Sequence, residues 1–119
     1  MKIDNLNSMC KGWFVGDFEP AVYLSRDIEI AIKYYSCGDY EESHMHKIAT
    51  EITVIVNGQA KMSNRIVKTG DIITMAPGDE TDFLALTEVT TVVVKYPSVK
   101  KDKYPSVKKD KYNSGNSIC

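Results

Sequence analysis

A succession of short β-strand patterns, separated by turn residues, most constrains what this chain can fold into. Within the run 28–35, isoleucine at 28, 30 and 32 alternates with Glu29, Ala31 and Lys33, which is the period of a strand with one buried face. Runs rich in β-branched and aromatic residues recur along the chain, at 13–15, 21–24, 28–35, 51–56, 60–62, 71–75, 82–86 and 89–95. No segment predicts a helix longer than a turn or two. Many short strands favour an all-β sandwich or barrel, and closure into a barrel also protects strand edges.

The dipeptide Asn57-Gly58 is the strongest local turn signal in the sequence. It lies between the strand-like runs 51–56 and 60–62, and both residues tolerate the positive φ angles of tight turns. We therefore predict a two-residue hairpin at this point.

Charge and length restrict the classes of function. A chain of 119 residues has room for one domain, and its net charge is −1. Residues 1–94 carry 8 Lys or Arg against 14 Asp or Glu, a net charge of −6. Such an acidic body repels phosphate backbones, so we expect no nucleic-acid partner. The N-terminus lacks the apolar core of a signal peptide, and no apolar run approaches the length of a bilayer span, so we expect a cytoplasmic protein without a membrane partner.

The end of the chain contains a direct repeat. The segment 95–102, Lys-Tyr-Pro-Ser-Val-Lys-Lys-Asp, recurs unchanged at 103–110, and residues 95–119 carry a net charge of +5. Proline in each copy opposes helix and strand continuation. We predict a domain over residues 1–97 followed by a flexible basic tail over 98–119. One alternative for the whole protein is a small interaction module that acts through this tail.

The two histidines, His44 and His46, are the clearest candidates for chemistry. In a strand, residues two apart project from the same face, so both imidazoles can bind one divalent cation. Glu51, at the start of the next apolar run, can supply a carboxylate to the same ion. Two histidines and one carboxylate leave coordination positions open for water or substrate, as in a catalytic site.

The spacing of this segment resembles the first motif of the cupin superfamily. The motif has a glycine, five residues, a histidine, one residue, a histidine, four residues, a glutamate, six residues and a glycine. Gly38, His44, His46, Glu51 and Gly58 match it position for position. The resemblance implies a single-domain cupin-type double-stranded β-helix, or jelly-roll barrel, with the two histidines and the glutamate facing its cavity.

The second cupin motif is matched in part by residues 70–78. The family usually places a further metal-binding histidine three positions after the final glycine, where this chain has Thr81. Alignment on Pro77 instead places Asp82 at that position, and the sequence leaves both registers open. Ala85 stands where the family often has asparagine.

The resemblance, which covers residues 13–97, implies a metal-dependent enzyme acting on a small molecule. Members of the superfamily use iron, manganese, nickel or zinc, and they include lyases, isomerases and dioxygenases. The alternative is a non-catalytic cupin that binds or sequesters a small metabolite around a vestigial metal site. Fold alone does not choose between them.

Two further expectations concern the cavity and the oligomeric state. Either Tyr34 or Tyr35 must face the cavity if the strand alternates; with Glu51, Tyr35 is our candidate catalytic residue, and simple packing is the alternative. Barrels of this family usually pair, which implies a homodimer. The apolar residues near the N-terminus are candidates for its contact, namely Trp13, Phe14, Val15 and Phe18.

Overall fold

The computed structural model describes residues 1–106, which form an almost entirely β structure. A 3-10 helix at Leu6–Ser8 precedes the strands. In chain order the strands are β1 (Trp13–Gly16), β2 (Tyr23–Leu24), β3 (Glu29–Tyr35), β4 (Tyr40–His46), β5 (Thr50–Asn57), β6 (Gln59–Met62), β7 (Arg65–Lys68), β8 (Ile72–Met75), β9 (Glu80–Ala85), β10 (Val89–Tyr96) and β11 (Lys103–Pro105).

The strands form two sheets, as the all-β prediction requires. One sheet has the order β2-β1-β3-β10-β5-β8, and the other has the order β11-β4-β9-β6-β7. Apart from the parallel pair β1 and β2, neighbouring strands run antiparallel. Consecutive strands such as β4 and β5 lie in different sheets, so the chain crosses repeatedly between the two layers. This crossing is the double-stranded β-helix expected from the sequence.

The hydrophobic core lies between the two sheets. Ile55 and Val89 project from the first sheet and are almost completely buried, while Met62 and Phe83 project from the second. Alanine at positions 60 and 85 allows the sheets to approach closely there. The core fills one end of the barrel, and polar residues line the other.

The predicted hairpin at Asn57-Gly58 is wrong. β5 and β6, which flank it, belong to different sheets, so this dipeptide carries the chain from one sheet to the other. Gly58 has φ +101°, and a Cβ atom there would lie 2.2 Å from the carbonyl oxygen of Glu88. The glycine is thus required for close backbone approach rather than for strand reversal. A tight turn with two positive φ angles instead joins β6 to β7, at Ser63-Asn64.

The ordered barrel extends beyond residue 97, where the sequence places its boundary. Among residues 98–106, Ser98, Asp102 and Ser106 are buried, and β11 pairs with β4 at the edge of the second sheet. The expectation of a flexible tail therefore does not hold for 98–106, because polar side chains anchor this stretch despite its few apolar residues. The rest of the predicted tail, residues 107–119, lies outside the described residues.

Of the four apolar N-terminal residues proposed for a dimer contact, Val15 is buried and the other three are half-buried. Val15 is a core residue, and Trp13 packs edge-on against Phe18 beneath the ammonium groups of Lys33 and Lys95. This corrects the assignment of Val15 to a dimer contact, since its side chain is turned into the barrel. Within residues 1–106, no helix has the length and apolar character needed to cross a membrane.

Candidate metal site

His44, His46 and Glu51 meet at the polar end of the barrel. The two histidines lie on β4 in one sheet and the glutamate lies on β5 in the other, joined by the short loop 47–49. One nitrogen of each imidazole and one carboxylate oxygen all lie within 4.8 Å of one another. The strand alternation predicted from sequence therefore brings the three side chains together across the two sheets.

A β-bulge in β4 adds a fourth side chain to this face. The pairing of β4 with β9 shifts register between Glu41 and His44. Because residues three apart would otherwise face opposite sides of a strand, the bulge allows Glu41 to share the cavity with His44 and Glu51.

Backbone carbonyl groups orient both imidazole rings. His44 Nδ1 lies 3.0 Å from the carbonyl oxygen of Glu42, and His46 Nδ1 lies 2.8 Å from that of Asp102. A carbonyl oxygen only accepts hydrogen bonds, so each Nδ1 carries a proton and donates it. A neutral ring with its proton on Nδ1 has a lone pair on Nε2, the arrangement that metal-binding histidines adopt.

The Nε2 atom of His46 is buried and has no hydrogen-bond partner. It faces Glu51 Oε2 at 3.6 Å, beyond the length of an N–H···O hydrogen bond. In a neutral His46 with its proton on Nδ1, the Nε2 lone pair and the Glu51 Oε2 atom face each other inside the protein. A cation between them would satisfy both, so these residues fit a divalent metal ion.

The ionisation of both side chains suits this role. Burial raises the pKa of Glu51, and the Lys95 ammonium is among the groups that lower it; the net effect is a pKa below its usual range. Burial lowers the pKa of His44, and the charge of Lys103 lowers it further against the opposing effect of the Glu42 carbonyl. At neutral pH the site therefore contains a carboxylate and an unprotonated His44, the forms that bind metal.

The structure decides the register of the second motif. Thr81 shares a buried face of β9 with Phe83 and pairs across the sheet with His44, whereas Asp82, which also lines the cavity, accepts hydrogen bonds from Ser63 and Tyr40. The Thr81 hydroxyl accepts a hydrogen bond from Ser63 at 3.0 Å and donates one to the Asp82 carbonyl at 2.8 Å. The position next to His44 where the cupin motif has histidine is thus occupied by a threonine whose hydroxyl is hydrogen-bonded within the protein.

Tyr35 faces the cavity, whereas Tyr34 is 70% exposed. The Tyr35 hydroxyl donates a 2.6 Å hydrogen bond to Glu41 Oε1, and its ring stacks on Phe83 with centroids 4.4 Å apart. Burial, followed by the charge of Glu41, raises the pKa of Tyr35 far above its ordinary value. The phenol therefore keeps its proton at neutral pH and is suited to donating a hydrogen bond rather than to accepting a proton.

Three lysines line the same inner cavity, which has a volume of about 60 Å³. Lys33 and Lys95 are paired at 4.0 Å with Glu41 and Glu29 respectively, and Lys103 enters from β11. The lysines also line an outer groove of about 610 Å³ that reaches His46. The approach to the candidate site is therefore positively charged.

The sequence did not identify several of these residues as part of a site. Glu41 joins the cavity through a bulge, for which the sequence carries no signal. Asp102 and Lys103 lie in the repeat, whose composition carries no signal of contact with a site. Lys95 was placed on a strand, and its inward direction follows from the register of β10 with β5, where it pairs with Glu51.

No protein-family model matches the chain, and no curated protein resembles it in sequence. Its fold is nevertheless similar to several solved structures. A protein with a double-stranded β-helix domain from Klebsiella pneumoniae is 19% identical over 71% of this chain and 74% of its own, with a TM-score of 0.64. An RmlC-like cupin from Shewanella frigidimarina is 14% identical over 65% and 71%, with a TM-score of 0.59. The DMSP lyase DddQ from Ruegeria pomeroyi is 18% identical over 77% of this chain and 48% of its own, with a TM-score of 0.64. This chain therefore has the cupin fold.

Proposed function

We propose that this cupin-fold chain is a metal-dependent enzyme that acts on a small molecule, with the ion held by His44, His46 and Glu51. One observation carries the proposal: the buried, unpartnered Nε2 of His46 faces the Glu51 carboxylate at 3.6 Å. Burying such a pair without a bridging proton or cation is unfavourable, so a bound ion gives the arrangement a physical reason.

A divalent ion, when bound, polarises a carbonyl or carboxylate oxygen and lowers the pKa of bound water. The chain's own residues would contribute positioning and proton transfer. Tyr35 would donate a hydrogen bond from a hydroxyl that keeps its proton. Glu41, which accepts that bond at 2.6 Å, would take up a proton released in the cavity, and Glu51 would serve as ligand or base.

The cavity is lined by three lysines and by the carboxylates of Glu41, Glu51 and Asp82, so a bound divalent ion would make it net positive and favour an anionic substrate. Lys33, Lys95 and Lys103 line it, and Lys33 and Lys95 are less than one-third exposed. A small carboxylate fits this combination, because its oxygen atoms can approach the ion while the ammonium groups balance its charge. The small inner volume of about 60 Å³ favours a compact molecule or the reacting end of a larger one.

The reaction class is proposed only as lyase, isomerase or dioxygenase. The Ruegeria pomeroyi protein of similar fold is a DMSP lyase, which makes a lyase the first class to assay. Iron, manganese, nickel and zinc are the candidate metals, since imidazole and carboxylate ligands suit all four.

A non-catalytic metabolite-binding cupin is the second candidate. The observation in its favour is Thr81, which replaces the expected histidine and directs its hydroxyl to Ser63 and the Asp82 carbonyl. With one ligand fewer, the site could hold a metabolite without turnover. Binding of a small carboxylate to the metal-loaded protein, without any conversion detected by mass spectrometry, would support this candidate over the enzyme.

Metal content of the untagged protein, measured by elemental analysis, tests the proposal. We expect about one equivalent of a single transition metal, because one cluster of ligands is present among the described residues. The double variant His44→Ala/His46→Ala removes both histidines of the chain and should abolish this content. Tyr34→Phe, a change at an exposed position beside the cavity strand, is the matched control and should keep the metal.

A metal-free protein that also fails to take up added iron, manganese, nickel or zinc would refute the metalloenzyme. Metal that persists in the double histidine variant would show that it binds elsewhere. Either result would direct attention to ligands held by the lysines and Tyr35 instead.

We also propose that the protein is a cytoplasmic homodimer. Val15 is excluded from the contact by burial, whereas Tyr23 and Leu24 on the edge strand β2 are largely exposed. Light scattering after gel filtration tests the dimer, and a monomeric mass at micromolar concentration would contradict it.

A further inference from the structure

The C-terminal segment (residues 98–106) is attached to the barrel at three buried polar residues spaced four apart. The Ser98 hydroxyl accepts from the backbone N–H of Asp17 at 3.0 Å and donates to Glu29 at 2.9 Å. The Ser106 hydroxyl is 2.7 Å from that of Ser43 on β4. Between these two anchors lies Asp102, whose side chain and main chain both contact the candidate metal site.

The Asp102 carboxylate binds the loop that joins the two ligand-bearing strands. It accepts hydrogen bonds from the backbone N–H groups of Lys47 at 3.1 Å, Ile48 at 3.1 to 3.2 Å, and Ala49 at 2.8 Å. Three consecutive donors in a loop would otherwise lack partners within the barrel. A buried carboxylate with three such bonds holds the loop in a single conformation.

The main chain of the same residue orients His46. The Asp102 carbonyl oxygen accepts the hydrogen bond from His46 Nδ1 at 2.8 Å, and both residues are about 95% buried. The carboxylate thus anchors the segment at the loop that follows His46, and this places the carbonyl oxygen where it accepts the hydrogen bond from the imidazole. Because both groups belong to Asp102, the bonds of its carboxylate to the loop also fix the position of its carbonyl oxygen beside His46.

We infer that Asp102 is a positioning residue of the metal site: it holds His46 in the Nδ1–H tautomer with its Nε2 lone pair directed at Glu51. The first copy of the repeat is therefore part of the functional site and not only a charged extension. This inference rests on the proposed role of His46 as a ligand. The tautomer itself can be observed without any metal.

The test compares Asp102→Ala and Asp102→Asn with the wild type in two measurements. Long-range ¹H–¹⁵N spectra of the metal-free protein report the tautomer, and the only two histidines make the assignment direct. Titration calorimetry with Zn²⁺ reports affinity. Asp71→Ala is the matched control, since the Asp71 carboxylate also accepts a backbone N–H bond, from Lys68 at 2.8 Å, in a turn away from the site.

In the wild type and the control we expect His46 as the Nδ1–H tautomer. In Asp102→Ala the carbonyl is still present but its segment is released, so Nε2–H should appear, donating to Glu51. Zn²⁺ affinity should fall about 10- to 100-fold, the usual effect of losing a residue that orients a ligand. Asp102→Asn keeps one acceptor oxygen and should be intermediate in both measurements, which also serves if the alanine variant does not fold.

An unchanged His46 tautomer and unchanged Zn²⁺ affinity in a folded Asp102 variant would overturn the inference. A tautomer change in a protein whose wild type binds no metal would support the positioning role and refute the proposed function. The two hypotheses are therefore separable in one set of samples.

Discussion

Replacing Glu51 with glutamine exchanges a carboxylate oxygen for an amide of the same shape, directly opposite the buried Nε2 of His46. In the metal-free wild type, Nε2 has no hydrogen-bond partner and faces Glu51 Oε2 at 3.6 Å. The glutamine amide can donate to that lone pair. If the pair is built for a cation, Glu51→Gln should therefore preserve the stability of the metal-free protein and abolish its stabilisation by metal.

The expected magnitudes follow from these contacts. A new neutral hydrogen bond contributes about 0.5 to 1.5 kcal/mol. The variant also loses the attraction between the Glu51 carboxylate and the Lys95 ammonium, but Lys95 keeps its ion pair with Glu29 at 4.0 Å. We expect the free energy of unfolding of metal-free Glu51→Gln to equal that of the wild type or exceed it by up to about 1 kcal/mol. Metal at 100 times its dissociation constant should stabilise the wild type by about 2.7 kcal/mol, or roughly 10 °C in Tm for a domain of this size.

Thermal unfolding is measured for the wild type and for Glu51→Gln, each with chelator and with saturating Zn²⁺ or Mn²⁺. We expect a metal-induced rise in Tm for the wild type and little rise for Glu51→Gln. A metal-free variant destabilised by more than about 2 kcal/mol would show that the carboxylate is a structural partner of the fold, as expected when a buried acceptor is removed from satisfied donors. An unchanged metal-induced rise would show that Glu51 is not a ligand. Either result would refute the reasoning.

Two other predictions concern the neighbouring residues. Burial lowers the pKa of His44 below its ordinary value of 6.5, so metal binding should persist at pH 6.5 and weaken only as the pH falls through that lowered pKa, when protons compete for the ring. Calorimetric titrations with metal at a series of pH values test this direction. Loss of metal binding already above pH 6.5 would contradict it. Tyr35→Phe removes the 2.6 Å hydrogen bond to the half-buried Glu41 carboxylate, which keeps Lys33 as a partner, so urea unfolding should show a loss of about 0.5 to 1.5 kcal/mol. Tyr34→Phe at an exposed position should change stability by less than about 0.5 kcal/mol. Equal effects of the two changes would contradict the assignment of Tyr35 to the cavity.

Local patterns determined the fold class and the candidate ligands. The segment 28–35 contains β3, as its period predicts, but Ala31, Lys33 and Tyr35 form the inward face and Ile30 and Ile32 are only partly buried. The motif spacing brought His44, His46 and Glu51 within 4.8 Å, since the two histidines share a strand face and the loop to Glu51 is only three residues long. These relations span few residues, so the sequence contains them almost completely.

Contacts between distant parts of the chain were decided only in the tertiary structure. The register of β9 against β4 places Thr81 beside His44, although two alignments of the sequence were equally acceptable. The β4 bulge admits Glu41 to the cavity. The Asn57-Gly58 pair had the composition of a hairpin, but strands β5 and β6 find their partners in different sheets. Pairing depends on which strands the whole barrel brings together, and a local turn signal contains no such information.

The C-terminal segment shows the same limit most clearly. Its composition, rich in lysine and poor in apolar residues, predicts a solvated tail by the rule that disordered segments cannot bury enough apolar surface. It is ordered instead by polar anchors, of which Asp102 satisfies three backbone donors in a loop more than 50 residues earlier. The strands and the grouping of His44, His46 and Glu51 were thus determined by sequence. The orientation of His46, and the part of the repeat that provides it, were decided by the assembled barrel.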